Sequence, residues 1–597
     1  MASLSPLNHT LLTPASSSNA STSLCPFNQR RSQVPIVGKR RYRMVRKVSC
    51  EATDGEKKPT RSGNEEGSLG RLDRRNVLIG LGGLYGATGL CAGRLAFGAP
   101  IMPPDLSKCG AANLPAGAKP TNRCPPASSE IVDFKLPSSS EPMRVRPAAH
   151  MVDEEYIAKY SKAIALMKAL PADDPRNFTQ QANVHCAYCD GAYDQIGFPD
   201  LELQVHNSWL FFSFHRYYLY FYERMLGKLI DDPTFALPYW NWDAPAGMKM
   251  PTMYANPNSP LYDKLRDAKH QPPTMIDLNY NVQDTTMTPE QLLKNNLATM
   301  YRQVVSNGST AQLFLGSPYR AGDQPDPGFG SLENVPHGPV HLWAGDRTQP
   351  NIENMGNFYS AARDPIFYAH HSNVDRMWTI WKKLGGRRKD FKDPDWLNAG
   401  FLLYDENKQL VRVKVRDCLD EKKLRYSYQD VEIPWMKTRP TPGKLMAAAQ
   451  KLKITDRGLK KKKPTVSEFP KELDAPFKVV VKRPRKSRSK KEKEDEEEIL
   501  VIDQVELERD TVVKFDVYIN DEDEPSPDKS EFAGSFVNVP HKHGKKMSKL
   551  KTCLRFGISE LLEDLEAEDD DEVVVTIVPR IGGDLVTIGG IKIVFAS

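Results

Sequence analysis

Cysteine is scarce in this chain, with nine in 597 residues. That density excludes a small scaffold in which disulfides replace a hydrophobic core. A strong excess of charge of one sign is also missing, since the formal net charge is +6, and the charge therefore indicates no nucleic-acid partner. Hydrophobic residues make up 40% and charged residues 26% of the chain. This is the composition of an ordinary soluble protein, and the length allows about four domains.

Acidic residues are absent from residues 1–50. The segment is rich in serine and threonine and then in arginine and lysine, which is typical of an organellar transit peptide. A plain disordered tail is the alternative on composition alone. We predict that residues 1–50 are a transit peptide, because of the segment that follows them.

A long unbroken apolar run is missing from residues 51–99. Arg74 and Arg75 precede a glycine-rich core (VLIGLGGLYGATGLCAGRLAFGA) that Arg94 interrupts and that ends on small residues. The interruptions exclude a permanent membrane span, and the arginine pair is typical of a twin-arginine signal. A transit peptide followed by such a signal predicts passage through the chloroplast stroma into the thylakoid lumen. We expect no stable membrane insertion and a mature start near residue 99 or 100.

Residues 100–390 are predicted to form a mainly α-helical domain, because their apolar residues recur at helical spacing. The clearest predicted helices cover residues 152–170, 209–223 and 289–305. Residues 391–436 are predicted to be an appendage of turns and strands. Residues 437–474 form a basic, proline-containing linker, which should be exposed and open to proteolysis.

Residues 475–597 contain short runs of β-type residues separated by turn residues. These runs cover residues 477–481, 499–505, 511–519, 532–539, 573–578 and 586–595. Their spacing predicts a separate β-sandwich. The predicted fold class is therefore a mainly α domain, a helix bundle, followed by a C-terminal β-sandwich.

The most aromatic stretch, residues 209–223 (WLFFSFHRYYLYFYE), carries His215 and Arg216 in its middle. So apolar a run should form a buried helix, and a buried imidazole needs a partner. A lone core histidine would usually bond to a backbone carbonyl. This histidine has companions, because seven of the chain's twelve histidines fall in three short windows. They are His185, His206, His215, His337, His341, His370 and His371.

The spacing and neighbours of these histidines favour a metal site. His337 and His341 are four residues apart, so on a helix both rings project from one face. A zinc hydrolase would usually add a carboxylate ligand or the glutamate of H-E-x-x-H, and neither window has that pattern. Imidazole-only ligand sets suit copper, iron, nickel or zinc. Two sets of three histidines favour two copper ions that act on one dioxygen molecule.

Two motifs give the chain a specific resemblance. Residues 206–223 (HNSWLFFSFHRYYLYFYE) match the first copper signature of the tyrosinase and catechol oxidase family, and residues 364–375 (DPIFYAHHSNVD) match the second. Three shorter pieces resemble motifs of the plant members: DWL at 395–397, YSY at 426–428 and KFDV at 514–517. The chain therefore resembles the plant polyphenol oxidases over nearly all of its length.

The resemblance implies a ligand set for each copper ion. His185, His206 and His215 would hold the first ion, and His337, His341 and His371 would hold the second. His370 would point about 100° away from His371 on a helix, so it is left out of the set. The family joins a cysteine to its second histidine by a thioether, which here would link Cys189 to His206. The alternative for Cys189 is an ordinary buried thiol.

Four further positions correspond to residues around the family's copper site. Phe358 matches the gate position, an aromatic ring over the second copper, and simple core packing is its alternative. Glu333 matches a carboxylate that holds an active-site water, and a solvated surface acid is its alternative. Gly338 and Leu342 follow the first two ligands of the second copper, where the family's acceptance of monophenols is influenced. Because glycine offers a substrate no hydrogen bond, we expect diphenol oxidation over phenol hydroxylation.

The cysteines near the start of the predicted domain depart from the plant pattern. Plant members commonly carry adjacent cysteines before Pro-Pro, whereas residues 123–126 read RCPP. One of the two usual disulfides must then be missing. The resemblance implies Cys109–Cys124, and Cys124–Cys186 is the other option.

The implied activity is the oxidation of a small phenolic substrate, an o-diphenol, to an o-quinone while dioxygen is reduced to water. The β-sandwich would shield the site until a protease cuts the linker, which makes the protein a latent zymogen. A phenol hydroxylase or aurone-forming enzyme of the same family is one alternative. A haemocyanin-like dioxygen carrier, and a storage or structural protein with zinc in the histidine cluster, are alternatives from other classes. The sequence indicates no particular oligomeric state.

Overall fold

The computed structural model describes residues 98–112, 114–443, 468–521, 526–541 and 549–596. These residues belong to one compact unit, Ala87–Ser597. The predicted transit peptide and nearly all of the predicted twin-arginine signal lie outside the described residues. At the end of that signal the carbonyl of Ala99 accepts a hydrogen bond from the backbone N–H of Ala321 (2.9 Å). Within the described ranges, no helix combines the length and the apolar character that crossing a bilayer requires.

Helices dominate the regular structure before residue 390. They are α1 (Glu154–Ala169), α2 (Phe178–Cys189), α3 (Phe211–Leu229), α4 (Pro289–Tyr301), α5 (Ala311–Leu315), α6 (Gly338–Ala344) and α7 (Ile366–Lys383). Local chemistry sets their starts: Asp153 caps α1 by accepting a hydrogen bond from the backbone N–H of Tyr156, and Thr288 and Gln291 form a capping box at α4. All three helices expected from the sequence are present.

Helices α3 and α7 pack against each other at the centre of this domain. Nearly every residue of α3 is buried, including the polar pair His215 and Arg216. Helix α3 begins at Phe211 and runs to Leu229, so it starts later and ends later than the aromatic run that predicts it. A helix buried on all sides lies inside the core, and its polar side chains then need internal partners.

Short strands join the segments that flank the helices. They are β1 (Ile131–Asp133), β2 (Arg144–Arg146), β3 (Asp194–Gln195), β4 (Phe198–Glu202), β5 (Gly400–Tyr404), β6 (Leu410–Lys414) and β7 (Tyr426–Tyr428). β1 pairs with β6, and β2 pairs with β7, both in parallel. A short helix, α8 (Pro394–Asn398), places Trp396 so that its indole N–H donates to the carbonyl of Trp209 (2.9 Å). The predicted appendage is thus bound to the start of the segment that leads into α3.

The C-terminal part is a sandwich of two four-stranded antiparallel sheets. Its strands are β8 (Lys471–Glu472), β9 (Phe477–Lys482), β10 (Glu497–Glu508), β11 (Val513–Ile519), β12 (Phe532–Asn538), β13 (Lys549–Gly557), β14 (Glu572–Ile581) and β15 (Val586–Ala596). The strand order is β13-β10-β15-β8 in one sheet and β12-β11-β14-β9 in the other. It has its own hydrophobic core, which includes Leu500, Phe515 and Val575. The predicted order of a helical domain and a β-sandwich is confirmed.

Two details differ from the sequence-based expectations. Strand β13 was not predicted, although Leu550, Leu554 and Phe556 give it the alternation of a half-buried strand. The predicted linker is also shorter at both ends. The backbone N–H of Gly443 donates to the Glu531 carboxylate (2.8 Å), and β8 is already part of a sheet. Residues 444–467, in the middle of that linker, lie outside the described residues.

Candidate metal centre

The first histidine group combines residues from two helices and the segment between them. His185 and Cys189 are one turn apart on α2, so they share a face. His215 lies on α3, and His206 lies in the segment that leads into it. All four side chains are buried, and their potential ligand atoms lie within 4.8 Å of one another. The ring centroids of His206 and His215 are 5.0 Å apart.

The second group also combines two parts of the chain. His337 ends a kinked segment, Glu333–His337, in which Val335 has an extended backbone and which continues directly into α6. The ring centroids of His337 and His341 are therefore only 4.6 Å apart. Helix α7 contributes His370 and His371, and the potential ligand atoms of the four histidines again lie within 4.8 Å.

The two groups lie side by side. The rings of His215 and His371 are stacked, with centroids 4.3 Å apart and planes at 16°. The rings of His206 and His337 are 6.0 Å apart. Because α3 and α7 carry the stacked pair, the packing of these two helices sets the distance between the groups. Two metal ions held in them would be close neighbours.

Hydrogen bonds orient the imidazoles for metal binding. The Nδ1 atoms of His215, His337 and His341 lie 2.8–2.9 Å from backbone carbonyls. A ring nitrogen that donates to a carbonyl carries the hydrogen, so the Nε2 atom of the same neutral ring presents a lone pair. This is how metal-binding histidines are usually oriented.

The Nε2 atoms of the second group suit a cation. That of His341 lies 3.2 Å from the Nε2 atoms of both His337 and His371, and two lone pairs at that distance repel each other. Nitrogen ligands about 2.0 Å from one tetrahedral ion lie about 3.3 Å apart. The Nε2 atom of His215 has no hydrogen-bond partner among the described residues. The histidines therefore fit a metal ion in each group.

Burial keeps these imidazoles neutral, which is the form that binds metals. It lowers the pKa of His215 to about 3 and that of His341 to about 4. Burial and the neighbouring imidazoles together hold the pKa values of His206, His337 and His371 well below the ordinary value. At neutral pH no proton competes with a cation in either group.

The metal-free protein should lose stability when the pH falls from about 6.5 towards about 4. Below about pH 4 the buried histidine rings of the folded protein also take up protons. In between, the unfolded chain binds protons that the buried histidines exclude, so acid favours unfolding. The stabilisation that the neutral buried histidines provide is fully present above about pH 6.5, the pKa of a histidine in the unfolded chain. Denaturant unfolding of the metal-stripped protein at several pH values measures the effect, and His341→Gln should reduce it. A flat profile between those pH values would contradict the burial of neutral imidazoles.

His370 is bound differently from its neighbour His371. The indole N–H of Trp242 donates to its Nδ1 atom at 3.1 Å. A neutral imidazole that accepts at Nδ1 carries its hydrogen on Nε2, so neither nitrogen offers a free lone pair. His370 lies within the second group but is oriented as a packing residue. No sequence pattern indicates Trp242, which is 128 residues from His370 in the chain.

Glu333 is a buried acid in this structure, in contrast to the solvated alternative. Its Oε1 atom accepts a hydrogen bond from the backbone N–H of Asn207 at 2.6 Å, and its Oε2 atom has no hydrogen-bond partner among the described residues. Burial raises its pKa well above the ordinary value. Asn207 directly follows His206, so Glu333 connects the backbone of one histidine group to that of the other.

Phe358 lies against the first group. Its ring centroid is 4.4 Å from that of His206 and 6.4 Å from that of His185. The resemblance placed this ring over the second copper, so that expectation is corrected. The contacts that hold Phe358 there come from the C-terminal sandwich: its backbone N–H donates to the carbonyl of Pro540, and its ring stacks on that of His541.

Gly338 and Leu342 differ in their surroundings. Leu342 is buried in the helical core. Gly338 faces the C-terminal sandwich, where an added Cβ would lie 3.4 Å from Cγ1 of Val537 and 3.5 Å from Cγ2 of Val539. Only Gly338 of this pair therefore lies at the mouth of the site.

The cysteines lie as follows. Cys109 and Cys124 form a disulfide, the first of the two pairings left open by the sequence, and Cys186 is free and buried. Cys189 is also a buried thiol, beside His206 in the first group. Burial raises its pKa well above the ordinary value, so a free Cys189 would be protonated.

Comparison with known proteins follows the same division of the chain. Residues 175–384 match the family model of the common central domain of tyrosinase, and residues 390–441 match the polyphenol oxidase middle domain. Residues 469–595 match the chloroplastic polyphenol oxidase C-terminal domain.

Individual relatives are similar over most or all of the chain. A chloroplastic polyphenol oxidase of Malus domestica is 60% identical over 606 aligned residues, covering 100% of both chains. Aureusidin synthase of Antirrhinum majus is 58% identical over 86% of this chain and 92% of its own. Among solved structures, latent apple tyrosinase is 63% identical with a TM-score of 0.74, over 78% of this chain and 100% of its own.

The fold and the site define a protein of the tyrosinase class, in which helices bring two buried histidine groups together. The matches to all three domains and the identity over the full length are more specific. The chain belongs to the plant polyphenol oxidase family and is an oxidoreductase.

Proposed function

We propose that this protein is a copper-dependent polyphenol oxidase that converts o-diphenols to o-quinones. The observation that carries the proposal is the pair of adjoining imidazole groups, each with its potential ligand atoms within 4.8 Å of one another. His185, His206 and His215 would hold one copper ion, and His337, His341 and His371 the other. Copper would supply the redox chemistry: two diphenols lose four electrons and four protons, and one dioxygen molecule becomes two water molecules.

The protein's own side chains would position the substrate and keep water out. Phe211, Phe358 and Phe367 have ring centroids within 4.8 Å of a histidine ring of the site. Such aromatic surfaces suit a flat phenolic ring. Gly338 at the mouth offers no hydrogen bond, which favours a diphenol that needs no hydroxylation.

Metal content and oxygen consumption together test this proposal. We expect two copper ions per chain and oxygen uptake with catechol in the absence of any other cofactor. Reversible oxygen binding without catechol oxidation would identify a carrier instead, and zinc in the cluster would identify a storage or structural protein.

The second candidate is an enzyme of specialised metabolism from the same family. The observation that favours it is the 58% identity to aureusidin synthase. Product analysis with a monophenol, a catechol and a chalcone distinguishes the two. An aurone product formed faster than the simple quinone would favour this candidate.

The C-terminal sandwich supports a latent form of the enzyme. We call residues 535–541 the cover segment. Val537 and Val539 belong to the hydrophobic core of the helical domain, and the carbonyl of Pro540 accepts a hydrogen bond from the backbone N–H of Phe358 (3.2 Å). The ring of His541 stacks on Phe358 at 4.7 Å. These contacts would close the mouth of the site.

Cleavage within residues 444–467, followed by separation of the C-terminal fragment, should raise catechol turnover at least about tenfold, as expected if the open state is a minor population of the intact chain. Cleavage without separation of the fragment should raise catechol turnover by a smaller factor. The buried ion pair between Asp326 and Arg509 (2.6 Å), and the contact of Gly443 with Glu531, would still hold the fragment. Turnover with and without gel filtration of the cut protein measures both effects. An unchanged rate after separation would contradict the proposed latency.

A thioether between Cys189 and His206 is part of the same proposal. Both side chains lie in the first group, with their potential ligand atoms within 4.8 Å. Such a bond would fix the orientation of the His206 ring, whose Nδ1 atom has no hydrogen-bond partner among the described residues. Mass spectrometry of the digested copper-loaded protein should find the two peptides joined and lighter by two hydrogen atoms. Two separate peptides would leave Cys189 as a buried thiol.

The mature protein is proposed to reside in the thylakoid lumen of the chloroplast. The relative from Malus domestica is named chloroplastic, and the two predicted targeting segments account for the further transfer. The hydrogen bond between Ala99 and Ala321 suits a mature start at about this residue. N-terminal sequencing of the protein from isolated thylakoids should give a start near residue 99 or 100, and recovery from the stroma alone would contradict it.

A further inference from the structure

The side chain of Asn334 forms an unusual pair of hydrogen bonds with the cover segment. Its Nδ2 atom donates to the carbonyl of Ser535 (2.5 Å), and its Oδ1 atom accepts from the backbone N–H of Val537 (2.9 Å). Both bonds belong to the peptide groups on either side of Phe536. A residue of a neighbouring strand bonds in the same way, with one N–H and one carbonyl. The amide of Asn334 therefore imitates one residue of a missing strand.

The position of β12 explains why such a partner is needed. β12 is the edge strand of its sheet and pairs only with β11. An edge strand presents N–H and carbonyl groups that must bond elsewhere when they are buried. The side-chain amide of Asn307 likewise donates to the carbonyl of Ala533 (3.1 Å). The helical domain thus binds this edge through backbone atoms, which any peptide possesses.

The side chains of the cover segment point alternately into the site. Val537 and Val539 both reach the Cβ position of Gly338, and His541 stacks on Phe358. Alternation of this kind is the geometry of an extended chain. The residues one and three positions after Phe536 are therefore the ones whose side chains lie against Gly338.

Asn334, Gly338 and Phe358 all belong to the helical domain, so they remain in the enzyme after the C-terminal fragment with the cover segment has been removed. Asn334 is 4% exposed in the covered protein, and its amide would then lose both partners. A ligand that restores these bonds gains the net free energy of two hydrogen bonds, which a simple phenol does not form with Asn334. The ligand that does so has a peptide group next to its aromatic ring.

We propose that the uncovered site binds o-diphenol side chains carried in extended peptides, with Asn334 and the backbone N–H of Phe358 as clamps on the peptide backbone. The inference rests on the proposed function, since the reaction is the same. Two peptide-borne catechol rings each lose two electrons and two protons, and one dioxygen molecule takes them up to form two water molecules. The peptide groups do not react and only position the ring.

The test uses the cut and separated enzyme with a peptide of residues 533–541 that has 3,4-dihydroxyphenylalanine in place of Val539. The reference substrate is the same amino acid with an acetylated nitrogen and an amidated carboxyl group. We expect kcat/KM to be at least about tenfold higher for the peptide, through a lower KM, because two or three hydrogen bonds are added. Equal kcat/KM values for the two substrates would overturn the proposal.

N-methylation of the peptide locates the clamp without any change to the enzyme. A methyl group on the nitrogen of Val537 removes the N–H that Asn334 accepts and should abolish the gain. A methyl group on the nitrogen of Phe536 is the matched control. In the strand the N–H of residue Phe536 alternates with that of Val537 and points towards β11, so its methylation should retain the gain. Equal losses from both methyl groups would overturn the assignment to Asn334.

A variant provides the second measurement. Asn334→Asp keeps the acceptor but loses the donor, so the KM for the peptide should rise more than the KM for the reference substrate, by at least about threefold. Equal changes in both KM values would overturn the clamp. If the copper-loaded enzyme oxidised neither substrate, the proposed function itself would be refuted. Oxidation of both substrates at equal efficiency would refute only the peptide proposal.

Discussion

His371→Gln is expected to leave one copper ion per chain where the unsubstituted protein is proposed to bind two, whereas His370→Gln is expected to leave both. The two histidines are adjacent on α7 and equally buried. Their bonding differs. The Nε2 atom of His371 lies 3.2 Å from that of His341, with which it would share an ion. Nδ1 of His370 already accepts the indole hydrogen of Trp242.

The expected losses follow from these roles. Removing a ligand should weaken copper binding in the second group by more than about 100-fold, since even an indirect partner of a ligand accounts for 10- to 100-fold in other sites. Catechol oxidation should be lost with it, because the proposed reaction uses both ions. His370→Gln removes only a packing contact and one neutral hydrogen bond, so it should lower stability by about 1–2 kcal/mol.

Elemental analysis and oxygen uptake on the two variants, prepared in parallel, separate these outcomes. Glutamine is chosen because its amide can still accept the Trp242 hydrogen bond. Trp242→Phe is a further control, since it frees Nδ1 of His370 without touching a proposed ligand. Loss of a copper ion from His370→Gln with retention in His371→Gln would reverse the assignment of the two histidines.

Much of the centre could be predicted because its signals are local. The aromatic run around His215 predicts a buried helix, and the spacing of His337 and His341 predicts one shared face. Apolar and polar residues alternate along the strands of the sandwich, so each strand can be predicted from its own residues. β13 could have been predicted in the same way from Leu550 and Phe556. Each of these patterns depends on residues that are close in the chain.

The features that the sequence did not predict depend on distant contacts. Asn334 and Val537 are 203 residues apart, and Trp242 and His370 are 128 apart. No periodicity relates such pairs, because their contact follows from how whole domains pack. The same reason explains the error for Phe358, whose neighbours were inferred from a motif position, although it also contacts Pro540 and His541, which are distant in the chain.

Asp375→Asn is expected to lower the free energy of unfolding by about 3–5 kcal/mol, the cost of leaving buried charges without their partner. Its carboxylate binds Arg216 at 2.5 Å and Arg146 at 3.2 Å, and it accepts a hydrogen bond from the hydroxyl of Tyr426 at 2.6 Å. Burial alone would raise the pKa of Asp375, but the two arginines lower it below the ordinary value. The ionised form is therefore the one that the core requires.

The position of this acid connects stability to the metal centre. Asp375 is one turn after His371 on α7, and Glu223 is two turns after His215 on α3. Arg146 on β2 binds both acids, with distances of 2.8 Å to Glu223 and 3.2 Å to Asp375. A single guanidinium thus holds together the two helices whose histidines stack at 4.3 Å. Loss of the Asp375 charge should loosen that spacing as well as the core.

Denaturant unfolding and copper content, measured on the same preparation, check both consequences. Asp133→Asn is the matched control, because its ion pair with Arg412 is largely exposed and should change stability by less than about 1 kcal/mol. We expect Asp375→Asn to bind less than two copper ions at a concentration that saturates the control. Normal copper binding in a destabilised variant would show that the helices keep their spacing without the bridge. The stacking of His215 on His371 would then be maintained by the packing of α3 against α7 alone.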